Sequence, residues 1–155
     1  MSEIRIAAEH RYADELAALA AADDVAKPTG WRLSPRAVET YVLGAEKPVG
    51  GVPITAKYVG DRAIIQVAIA TLASDRALML VGEPGTAKSW LSEHLSAAIS
   101  GDSSRIVQGT AGTTEEHIKY SWNYALLLAE GPSERALVPS PVLRAMREGT
   151  FARLE

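Results

Sequence analysis

One stretch narrows the possible folds of this chain more than any other: Val81-Gly82-Glu83-Pro84-Gly85-Thr86-Ala87-Lys88-Ser89, set between two runs of different periodicity. Ala77-Leu78-Met79-Leu80 before it is continuously apolar and reads as a buried strand, and Trp90 to Ile99 after it is amphipathic at helical spacing. A glycine-rich turn from strand to helix points backbone N–H groups inward. The helix adds its unpaired first amides and the positive end of its dipole, so the whole forms an anion cradle. Lys88 would bring a mobile charge to the outer phosphates, and the Ser89 hydroxyl falls where such loops hold Mg²⁺. These residues predict a nucleoside-triphosphate site. Pro84 has no N–H, so the donors must come from Gly85 to Ser89. Ala87 stands where the strict Walker A pattern has glycine, and is compatible with the loop if its dihedrals are already helical.

The rest of the chain is of a size and composition to support such a site. Its 155 residues suit one domain that buries roughly 68–70% of its unfolded surface. Apolar residues at 47% and charged residues at 23% exclude disordered, collagen-like and coiled-coil classes. A net charge of -3 disfavours a broad nucleic-acid footprint, and Trp31, Trp90 and Trp122 do not form a stacking series interleaved with basic residues. With no cysteine, and with His10, His94 and His117 far apart, no metal-ligand spacing is present. Charged residues from Glu3 to Glu15 interrupt any signal-peptide core, and the near-apolar run from Ala63 to Ala73 is too short to span a bilayer. The expectation is a cytoplasmic protein without membrane or nucleic-acid partners.

Ile4, Ala8, Tyr12, Leu16 and Leu19 predict a first helix over residues 4–22, followed by a connector through Pro28 and Gly30. Ser34-Pro35 opens a second helix that Gly44 closes. The linker signal at 48–53, Pro48-Val49-Gly50-Gly51-Val52-Pro53, divides a helical N-terminal section (1–47) from a nucleotide core (54–155). Residues 61–74 read as a helix apolar on most sides, buried on more than one face and packed beside the loop strand. Further on, a short strand is expected at 105–108 and a capping box at Thr113-Thr114-Glu115-Glu116 opens a helix reaching Tyr120. Two apolar runs, 124–129 and 136–138, read as a hairpin. Ser140-Pro141 caps a helix that Gly149 ends, and residues 150–155 begin a strand.

The loop resembles that of MoxR-type AAA+ ATPases, which often carry alanine before the lysine. Around it, Tyr58-Val59-Gly60-Asp61 is similar to the Val-Gly segment that lies against adenine in AAA+ proteins. The 124–138 region resembles the hairpin of the helix-2-insert branch, and Pro141 to Gly149 with the following strand resembles the approach to Walker B. The resemblance covers about residues 54–155. It implies an α/β, three-layer P-loop NTPase fold with a parallel sheet, incomplete here and preceded by the helical section. ATP would be held by Val59, Gly60, Gly82, Glu83, Pro84, Gly85, Thr86, Ala87, Lys88, Ser89 and Trp90, although Trp90 could equally be a core residue. Mg²⁺ would be held by Ser89 and Glu155, with Glu155 at the first Walker B acid and Lys88 acting in catalysis. The catalytic glutamate, sensor, arginine finger and lid would lie beyond Glu155. A strand at 77–81 would then lack its family neighbours, and would stay unpaired or pair with 150–155. The resemblance also implies a homo-oligomeric ring, a partner with a von Willebrand factor A domain, and chaperone-like remodelling of proteins. Two other classes fit the loop: a small P-loop kinase or phosphotransferase, and a non-enzymatic nucleotide-binding interaction module.

Overall fold

The helix that follows the loop lies at the centre of the first of two compact units. A computed structural model describes residues 5–74 and 76–155, with one unit running to Ser103 and the other from Ser104 to Glu155. The first contains α1 (Ala8–Arg11), α2 (Ala13–Ala22), α3 (Pro35–Leu43), α4 (Arg62–Ala73) and α5 (Lys88–Ser100). Both sides of the 48–53 segment fall within this unit, and Val49 and Val52 pair across the Gly50-Gly51 turn.

The helices begin and end where local chemistry dictates. Ser34 Oγ accepts from the Ala37 amide with Pro35 in the first turn, and Gly44 closes α3 at φ 83°. A Cβ on Gly44 would come within 2.9 Å of the Ala56 nitrogen, so this position requires glycine twice over. The helix expected over residues 4–22 is two helices bent at Tyr12 (φ -116°, ψ 30°); Ile4 lies outside the described residues. Asp61 caps α4 through the Ala63 amide, but only Ile65, Ala68 and Ile69 of α4 are buried. Ile64 and Val67 are exposed, correcting the expectation of burial on several sides. Apolar composition counts residues and cannot tell which faces find a partner, and the partner of α4 is α3.

Around α5 the reverse holds. Every residue from Glu93 to Ser100 is buried, polar ones included, and for Glu93 and His94 Nδ1 neighbouring elements supply partners. Glu93 accepts from Arg5 and from the Ala8 amide (3.1 Å). Glu9 accepts from the Ser103 amide and hydroxyl (3.1 and 2.7 Å). His94 is 1% exposed, its Nδ1 lies 3.0 Å from the Tyr41 hydroxyl, and it is ringed by Tyr12, Tyr41 and Trp90. Burial, then Glu15, pushes the Tyr41 hydroxyl well above its usual pKa, so it keeps its proton.

Burial, with Lys57, Arg5 and Arg11 nearby and only Glu15 opposing them, lowers the His94 pKa from 6.5 to about 4. The folded state thus binds fewer protons than the unfolded state between these values, and stability falls as pH drops from 6.5 towards 4. Thermal melts across that range should show the decline, and His94→Gln should remove the share due to this side chain.

The second unit holds β1 (Ile106–Val107), α6 (Glu115–Ile118), β2 (Tyr120–Trp122), α7 (Tyr124–Glu130), β3 (Leu137–Pro139), α8 (Pro141–Glu148) and β4 (Arg153–Leu154). β1 and β4 pair in parallel, Ile106 with Arg153 and Val107 with Leu154, with α8 packed against β1. β2 and β3 form an antiparallel hairpin, Trp122 opposite Leu137. Ser140 caps α8 through the Leu143 amide and Gly149 ends it in the left-handed region.

Three expectations are corrected. The first hairpin arm is 120–122, whereas 124–130 is helical because Asn123 caps the Leu126 amide and Leu and Ala favour the helix. The capping box sits one residue later, with Thr114 as N-cap and His117 Nδ1 accepting the Thr114 amide (3.1 Å), and α6 stops at Ile118. Residues 77–81, read as a buried strand, are not buried: Met79 and Val81 are 85% and 83% exposed. They form no ladder among the described residues, one of the two outcomes expected for a strand without its family neighbours. The 150–155 strand instead pairs with β1. Among the described residues, no helix is long and apolar enough to cross a membrane.

Candidate functional site

Residues 82–89 run from the extended apolar segment into the first turn of α5, and 82–87 are exposed. The first helical hydrogen bond of α5 runs from the Leu91 amide to the Ala87 carbonyl (2.9 Å). The intrahelical ladder therefore makes no use of the amides from Lys88 to Trp90, and the positive end of a 13-residue helix opens at the loop.

The loop is braced from within. Thr86 Oγ1 donates to the Glu83 carbonyl (2.8 Å). The half-buried Lys88 ammonium donates to the Gly82 carbonyl (2.8 Å), the Glu83 carbonyl (2.6 Å) and Thr86 Oγ1 (3.2 Å). All three acceptors are neutral. No carboxylate pairs with Lys88 among the described residues, so its full charge is left for an anion.

Ala87 departs from expectation. Its φ of 59° and ψ of 25° are left-handed, not helical, and no other described non-glycine residue has positive φ. A left-handed residue next to a right-handed one can turn successive amides towards one concavity, the geometry an anion cradle needs. For alanine the left-handed conformation costs roughly 1–2 kcal/mol. Ala87→Gly should therefore retain or tighten nucleotide binding. Ala87→Val, which brings a β-branched side chain into a region such residues avoid, should weaken it by about tenfold or more, read by titration of a fluorescent ATP analogue.

Trp90 turns towards the N-terminal helices. Its indole N–H donates to the Lys57 carbonyl (2.8 Å), its ring lies 4.5 Å from His94, and the Arg5 guanidinium sits 5.5 Å from its centroid. This bond ties the second residue after Lys88 to the chain just before Val59 and Gly60; Val59 is 94% exposed. Lys57 was not anticipated by the sequence. A lone lysine in a connector gives no sign that its ammonium is buried, paired with Glu15 and donating to the Thr55 carbonyl (2.6 Å).

In the second unit, Glu155 follows β4. Its amide donates to the Val107 carbonyl (3.1 Å), and its own carbonyl accepts from the Gly109 amide. Its carboxylate accepts from Arg153 Nη1 (3.0 Å), two residues earlier on the same strand face. That pairing explains how an arginine, 11% exposed along its side chain, is accommodated in this strand. His117 is engaged in capping and His94 in the core, and no cluster of metal-binding side chains occurs among the described residues. A concavity of about 570 Å³ between α2 and the 50–53 turn, lined by Ala17, Ala18 and Ala21, shares no residue with the loop.

The model of the AAA domain (dynein-related subfamily) matches residues 77–155, which contain the loop, α5 and the whole second unit. The chain is 51% identical over 144 residues to the uncharacterized protein YehL of Escherichia coli (strain K12), covering 93% of this chain and 39% of that relative. The chain thus spans well under half the length of the curated relative it matches. No solved structure matches it.

Proposed function

Since the chain belongs to the AAA domain family, dynein-related subfamily, and so to the AAA+ ATPases with their P-loop fold, we propose that it is the nucleotide-binding part of a MoxR-type ATPase that remodels protein partners. The observation that carries the nucleotide site is Lys88: an ammonium held only by neutral oxygens, at a helix N-terminus. Such a site favours a polyphosphate over any neutral ligand.

In this reading Lys88 leaves the Gly82 and Glu83 carbonyls for the outer phosphates, and the amides from Gly85 to Ser89 hold the phosphate oxygens. Val59 and Gly60 lie against the base. The Ser89 hydroxyl is the oxygen ligand proposed for Mg²⁺ at the loop, and the resemblance gives Glu155 the place of the first Walker B acid. When bound, that ion neutralises charge on the phosphates. Phosphoryl transfer in this class depends on positioning and charge stabilisation, which is the work these residues can do. The 155-residue chain by itself is proposed to bind ATP weakly and with little turnover. The whole protein is proposed to act in the cytoplasm as a homo-oligomeric ring with a partner bearing a von Willebrand factor A domain.

Titrating the chain with a fluorescent ATP analogue while following phosphate release tests this. Saturable, Mg²⁺-sensitive binding with slow release is expected. Binding that ignores Mg²⁺ and Lys88→Ala would contradict the nucleotide site, and fast release would contradict the low turnover.

A further inference from the structure

The Val59-Gly60 segment has no regular structure of its own, yet the chain two residues earlier is fixed from three directions. The amides of Lys57 and Tyr58 both donate to the Val42 carbonyl near the end of α3 (2.9 and 3.1 Å). The Lys57 side chain is buried: its ammonium pairs with Glu15 of α2, donates to the Thr55 carbonyl, and lies 4.7 and 4.4 Å from the ring centroids of Tyr12 and Tyr41. The Lys57 carbonyl accepts the indole N–H of Trp90 at 2.8 Å. The indole also packs against His94 and lies near the Arg5 guanidinium, contacts that hold its donor at that carbonyl.

We propose that Trp90 is a positioning residue for the nucleotide, its bond to Lys57 setting the spacing between the phosphate end at α5 and the base end at Val59-Gly60. This rests on the nucleotide site proposed above and adds to it. The N-terminal helices become part of the binding site, since α2 and α3 hold Lys57 and Lys57 holds Trp90. An indole has one N–H, and here the Lys57 carbonyl takes it, so the residue acts on the ligand through Lys57.

Trp90→Phe keeps a ring and removes the donor. The affinity for ATP is expected to fall by about three- to tenfold, the size of one hydrogen bond. Inorganic tripolyphosphate, which competes for the loop but has no base, should keep its affinity. Val59→Ala should lower the same ATP-to-tripolyphosphate ratio, and the double variant should lose no more than the larger single one, because both act on one contact. In the unmodified chain, hydrogen exchange should show the Val59 and Gly60 amides protected by ATP and not by tripolyphosphate.

Equal losses for ATP and tripolyphosphate in Trp90→Phe would mean that Trp90 merely supports the loop, and would overturn the proposal. So would an unchanged ratio, additive effects in the double variant, or equal protection by both ligands. Failure of the underlying site would look different: Lys88→Ala would leave both ligands bound as tightly as before.

Discussion

Replacing Lys88 by alanine is expected to weaken ATP binding more than a hundredfold while leaving the melting temperature nearly unchanged. The ammonium brings a full positive charge to the loop, and two charge-assisted hydrogen bonds to phosphate at about 1.5–3 kcal/mol each account for a loss of that size. Its contacts in the structure are to carbonyls and a hydroxyl on an exposed loop, and exposed contacts of this kind contribute little to folding. Lys88→Arg should not restore binding, because a planar guanidinium does not take the place of a compact ammonium threaded between the Gly82 and Glu83 carbonyls. Titration and melting on the same samples separate the two effects. A variant that loses its fold together with its ligand would point to a structural lysine.

Glu15→Ala should produce the largest loss of stability, about 3–5 kcal/mol, because it leaves the buried Lys57 ammonium without its counter-ion. Glu15 also accepts from the Thr55 amide (3.1 Å) and hydroxyl (2.8 Å), so its removal takes the acceptor from both of these donors as well. Desolvation already lowers the Lys57 pKa below 10.5, and the hydrogen bond to Glu15 opposes that shift. Without Glu15 the folded pKa falls further. The unfolded chain then binds the extra proton between the folded value and 10.5, so stability rises with pH through that window. The deficit of Glu15→Ala should therefore shrink as pH increases in urea titrations. The double change Glu15→Leu with Lys57→Met should recover much of the loss, since removing both charges is less costly than stranding one.

What the sequence made legible was local chemistry. Ser34-Pro35 with Gly44, and Ser140-Pro141 with Gly149, mark helix ends because capping needs only neighbouring atoms, and both helices begin and end there. Residues 105–108 and 150–155 each read as strands, and the structure pairs them in parallel as β1 and β4.

What failed depended on partners distant in sequence. The apolar run at 77–81 reads as a buried strand, but burial needs elements packed over it, and Met79 and Val81 are exposed; its lack of a strand partner among the described residues is one of the expected outcomes. The run at 124–129 suits either state, and the Asn123 cap decided for the helix. Within the site, the loop residues and Lys88 were legible from their order alone. The left-handed dihedrals of Ala87 were not, because alanine gives no sign of a conformation that glycine would announce. Lys57 was invisible for a different reason: its importance lies in Glu15, Thr55, Tyr12, Tyr41 and Trp90, which only the fold brings to it.

The most direct test of the central claim is to follow the individual backbone amide resonances of the chain while ATP and Mg²⁺ are added. The amides of Gly85, Thr86, Ala87, Lys88 and Ser89 should shift most, with saturation at a single affinity and no comparable shifts in Lys88→Ala. Shifts centred on the groove between α2 and the 50–53 turn, or none at the loop at millimolar ATP, would contradict the account.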